Sequence, residues 1–112
     1  MKYSEISTMI DGIGLPSAYY QFPEGTGQAP PFICFFYPQS NDMYADDSNY
    51  QSIAQLVVEL YTETKDFVQE LAVEAVLSAA GLTWSKTSEY LDDEHMNVTV
   101  YTMEVCINGE QS

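Results

Sequence analysis

The hydrophobic positions of the chain switch between a helical and a two-residue period, and the switches divide it into elements. Ile6, Met9, Ile10 and Ile13 recur at helical spacing, which predicts a first helix over residues 3–12 with Ser4 as its cap. Gly12, Gly14 and Pro16 stop it. The aromatic run SAYYQF predicts a short strand over 17–22. Residues 23–31 hold three prolines and two glycines in nine positions, which suits a loop or an arm reaching a neighbour, and not a sheet interior. FICFFY at 32–37 is apolar on both sides, as a strand covered on both faces would be. The polar segment 38–50 reads as a loop. From 51 to 62 a long strand alternates, with Ala54, Leu56, Val58 and Leu60 on the core face and Gln55, Val57, Glu59 and Tyr61 on an amphipathic one.

Asp66 and Gln69 form a capping pair for a second helix over 66–80. Phe67, Val68, Leu71, Ala72, Ala75, Val76 and Ala79 make its apolar stripe, with Gln69, Glu70 and Glu74 off it. Leu71 is therefore expected in the core with Leu56. Gly81 ends the helix in the left-handed region. A strand with Trp84 over 82–91, an acidic turn and a last strand over 96–107 complete a single domain spanning 1–112, with a polar tail at 108–112. The order helix, strand, strand, strand, helix, strand, strand predicts an α+β fold: one mixed, mainly antiparallel sheet carrying two helices.

Composition narrows the function. The chain has 112 residues, 46% of them hydrophobic, enough for a packed core. It carries 17 acidic residues against three lysines and no arginine, a formal charge of −14. That excludes a protein that grips nucleic-acid phosphates or an anionic membrane through a basic patch. No apolar run approaches the roughly 18 residues of a membrane span. The N-terminus lacks the apolar stretch of a signal peptide, so the chain is expected to be mature as made and to stay in the cytoplasm. Cys34 and Cys106 could form a disulfide, but read better as two small buried hydrophobes in a reducing compartment.

Candidate chemistry is sparse. His95 follows Asp92, Asp93 and Glu94, yet a tight turn rarely aims four successive side chains at one ion. Asp42, Asp46 and Asp47 lack the spacing of a twelve-residue calcium loop. A single histidine in an acidic turn makes a nucleophile–histidine pair improbable. GIGLPS lacks the spacing and following Lys of a phosphate loop. The expectation is a protein that is not an enzyme, with no metal and no cofactor. Tyrosine carries more signal. Of nine, Tyr44 and Tyr50 sit in a polar loop where no core needs them, and tyrosine is favoured at interfaces.

The runs LPSAYYQFPEG, PPFICFFYPQSNDMYADDSNYQ, VVELYTETKD and YTMEVCI resemble small structural proteins of tailed-phage and prophage morphogenesis modules, the tail completion, tail terminator or neck proteins. The resemblance spans residues 10–107. It implies a fold like the lambda-type tail terminators and assembly into a homo-oligomeric ring, commonly a hexamer, that caps the tail tube and meets the neck connector. It implies no active site. In such a ring Tyr44, Tyr50, Pro23, Pro30 and Pro31 are candidate contacts. Asp42, Asp46, Asp47, Asp92, Asp93 and Glu94 would face the lumen or solvent, where negative charge repels passing DNA. Two other readings fit the composition. One is an acidic mimic of DNA that inhibits a host nucleic-acid enzyme, although the acids form no regular stripe. The other is a head-side connector or adaptor of the same particle.

Overall fold

The computed structural model describes residues 1–22, 27–38, 40–42 and 52–107, with backbone only at 40–42 and 52. The order is α1 (Tyr3–Asp11), β1 (Ser17–Tyr19), β2 (Phe32–Phe36), β3 (Ser40–Asp42), β4 (Ser52–Thr62), α2 (Phe67–Ala79), β5 (Ser85–Leu91) and β6 (Met96–Ile107). This is the expected α+β architecture of two helices and one mixed sheet, with the three-residue β3 added. In the sheet the strands run β1-β2-β4-β6-β5, and β3 also pairs with β4. β1 lies parallel to β2, and every other pairing is antiparallel.

β4 and β6 form the spine, paired from Ser52 opposite Ile107 to Thr62 opposite Asn97. β2 and β3 line successive stretches of the other side of β4. Pro38, between them, has no N–H to give a ladder. The segment expected as loop from 38 is thus strand at 40–42, and Asp42 lies in it opposite Ser52.

The alternation of β4 holds as expected. Ala54, Leu56, Val58 and Leu60 are fully buried. With Ile33, Phe35, Tyr101, Met103, Val105 and Ile107 they form one face of the sheet, which packs on Ile6 and Ile10 of α1 and on Val73 and Leu77 of α2. β2 is buried along Phe32–Phe35, as a strand covered on both faces must be.

Three local expectations are corrected. Lys2, not Ser4, occupies the N-cap of α1, and its N–H donates to Glu5 Oε1 at 2.7 Å. β1 stops at Tyr19 because Tyr20 takes a positive φ of 72° and turns the chain off the strand. The cysteines differ: Cys34 is buried, while Cys106 is exposed near the end of β6, on the sheet face away from the helices. The close of α2 follows expectation, with Gly81 at φ 79° and the Leu82 N–H donating to Leu77 O at 3.1 Å. Beyond it Trp84 packs edge-on against Tyr101, with ring centroids 6.1 Å apart.

Candidate interface surfaces

Helix α2 is turned differently from its apolar pattern. The Asp66 carboxylate caps it, accepting from the Gln69 N–H at 3.1 Å, as expected. The buried positions, however, are Glu70, Val73 and Leu77. Phe67 is 66% exposed, Val68 76% and Leu71 65%, and Ala72, Ala75 and Ala79 are exposed beside them. The stripe expected in the core faces outward, and Leu71 is not a core residue.

Beside Val73 and Leu77, the inward side of α2 carries an ion cluster that spans three elements. Glu70, 2% exposed, takes the Lys65 ammonium at 3.0 Å on Oε2 and the Lys86 ammonium at 2.9 Å on Oε1. The Lys86 contact is close but poorly aligned as a hydrogen bond. Thr99 Oγ1 donates to Oε2 at 3.3 Å. Lys86 also reaches Glu74 at 2.6 Å, and the Tyr101 hydroxyl donates to the same Glu74 oxygen at 2.9 Å. Burial alone would raise the Glu70 pKa, but the Lys86 and Lys65 ammonium groups against its carboxylate prevail and lower it. The hydrogen bond to Glu74 and the close Glu70 carboxylate raise that of Lys86 in turn. Two of the three lysines of the chain are thus engaged here, Lys86 tying α2 to the sheet and Lys65 reaching Glu70 from the turn before the helix.

The sheet face away from the helices carries a different site. After Tyr20 the chain crosses over β2. Tyr20 packs edge-on to Phe36 at 5.6 Å and Phe22 edge-on to Phe32 at 5.4 Å, while Phe32 stacks on Tyr61 at 4.8 Å. Between these rings lies a cleft of about 480 Å³ with Glu59 and Cys34 on its floor. The Tyr61 hydroxyl donates to Glu59 Oε1 at 3.0 Å. Burial raises the Glu59 pKa, opposed only by that hydrogen bond. Burial, with the nearby Glu59 charge, pushes the Cys34 thiol up to about 11, so it is a poor nucleophile. Among the described residues the ion pairs gather on Glu70 and Glu74, and none reaches Glu59.

The residues singled out in the sequence are scattered. Pro30 and Pro31 are half-buried and lie beside Thr62, Glu63, Thr64 and Asp66 of the β4–α2 turn, against their own domain. Asp92, Asp93, Glu94 and His95 form the exposed β5–β6 turn, with His95 at φ 55°. Pro23, Tyr44, Asp46, Asp47 and Tyr50 lie outside the described residues. Among the described residues no three His, Cys, Asp or Glu side chains gather as a metal site, and no helix is long and apolar enough to cross a membrane. Sequence reading missed the outward face of α2 and the Glu59 cleft. Both left a trace: the first as an apolar stripe whose direction the pattern does not fix, the second as Glu59 and Tyr61 two residues apart on one strand face.

No protein-family model matches the chain, and no curated protein matches it. Its fold is similar to that of a chain in a solved structure described as "Virion of native gene transfer agent (GTA) particle". The likeness has a TM-score of 0.57 at 14% identity and covers 91% of this chain and 85% of that one. Identity this low establishes a shared fold.

Proposed function

We propose that this protein is a structural component of a phage-like particle. It assembles as a homo-oligomeric ring that completes the tail tube and joins it to the neck. It works by packing against its neighbours and not by catalysis. The observation that carries the reading is the fold it shares, over nearly its whole length, with a chain of a gene transfer agent virion. The resemblance of its sequence to tail-completion proteins points the same way.

The contact between copies is the outward face of α2. Copies with a charge of −14 repel one another, so they approach at least cost where the surface is apolar and nearby acids are neutralised. Phe67, Val68 and Leu71 supply apolar area, and Glu70 and Glu74 behind them are matched by Lys65 and Lys86. Assembly takes place in the host cytoplasm, and the ring remains in the particle. The test is light scattering and electron microscopy of the protein alone and with tail-tube protein. Rings at tube ends are expected. A monomer under both conditions overturns the reading, and a ring found only on the head side moves it to the connector.

A further inference from the structure

The aromatic cleft has a composition that the assembly reading does not use. Its walls are rings from Tyr20, Phe22, Phe32, Phe36 and Tyr61, and its floor holds a half-buried carboxylate that no cation reaches among the described residues. A carboxylate withdrawn from water among apolar groups is costly unless a positive charge joins it. The chain has no arginine of its own, and Lys65 and Lys86 are engaged on the opposite face of the sheet. Tyr20 is held in the left-handed region, rare for an aromatic residue, where it puts its ring on the cleft wall.

We propose that this cleft receives an arginine side chain from a partner protein, with the guanidinium on the Glu59 carboxylate and its flat faces against the surrounding rings. A guanidinium offers a planar fork for a carboxylate and also stacks on aromatic faces, which an ammonium does less well. A volume of about 480 Å³ accommodates the arginine together with flanking backbone. Tyr61 occupies Oε1 and orients the carboxylate toward the cleft. The proposal stands independently of ring assembly, since it concerns the other face of the sheet and requires only a basic segment.

The probe is the peptide acetyl-Ala-Arg-Ala-amide, titrated into isotope-labelled protein and followed by NMR, beside the same peptide with citrulline, which keeps the shape and loses the charge. Saturable shifts at Glu59, Tyr61 and Phe22 are expected. The citrulline peptide should bind about tenfold more weakly or worse, and Glu59→Gln should weaken the arginine peptide to a similar degree. Glu89→Gln, on the same sheet face outside the cleft, should leave binding unchanged. In the wild-type chain, saturation with the arginine peptide should lower the titration midpoint of the Glu59 carboxyl, a readout that needs no variant to fold. Equal binding of the two peptides, equal binding to wild type and Glu59→Gln, or shifts confined to Asp92, Asp93 and Glu94 would each overturn the proposal.

Discussion

Glu59 and Glu70 show how far neighbours decide the behaviour of one residue type. Glu70 is the more deeply buried, yet two ammonium groups keep it ionised, while among the described residues Glu59 is met by a tyrosine hydroxyl and no cation. The consequences for stability have opposite sign. The lowered pKa of Glu70 means its contribution is present above the ordinary glutamate range and is lost as pH falls through the folded-state value. Lys86→Met is expected to cost about 1–3 kcal/mol at neutral pH, with the outer side of Lys86 already screened by water. Urea titrations of wild type and variant should converge in acid. The raised pKa of Glu59 means that ionising it opposes folding above the ordinary glutamate range. Glu59→Gln should therefore raise the melting temperature at pH 7, with the gain vanishing as pH drops below that range. A variant that melts lower at pH 7 would show that the carboxylate is supported in the free protein.

At the scale of elements, α2 is the informative case. Leu77→Ala and Leu56→Ala should each cost about 2–5 kcal/mol in denaturant titrations, because both side chains are fully buried. Leu71→Ala should stay within about 0.5 kcal/mol of wild type. Changing Phe67 and Leu71 together to Ser should leave the monomer's melting nearly unchanged while weakening association by sedimentation. β4 was legible in the sequence because a two-residue period needs no information from elsewhere in the chain. The phase of α2 was not. Its apolar stripe is real, but the side that meets the sheet carries Val73, Leu77 and Glu70, whose partners, Lys86 among them, are brought together only by the tertiary fold. The same limit hid the cleft: Glu59 and Tyr61 share a face in any strand, whereas the rings that enclose them arrive through the turn at Tyr20. β3 escaped notice because three polar residues beside a proline carry no strand pattern.

For the whole molecule, charge sets the conditions of assembly. Lowering the Debye length from about 30 Å at 0.01 M salt to about 8 Å at 0.15 M removes most of the repulsion between copies. Self-association measured by sedimentation velocity should strengthen across that range. A decrease would mean that ion pairs, and not apolar contacts, join the copies. The arginine contact responds the other way, since salt screens an attraction, so the two surfaces separate by their ionic-strength dependence.

The lone tryptophan gives the molecule an optical label without engineering. Trp84 lies on the helix side of the sheet, in a shallow recess with Ser78, Leu82 and Thr83 at the end of α2. Its emission should shift toward the blue as a docked neighbour shields this flank from water, and hold steady while the aromatic cleft over β2 and β4, which Trp84 does not line, is being filled. One cuvette, read at a single excitation wavelength, can thus tell docking at this flank from filling of the cleft.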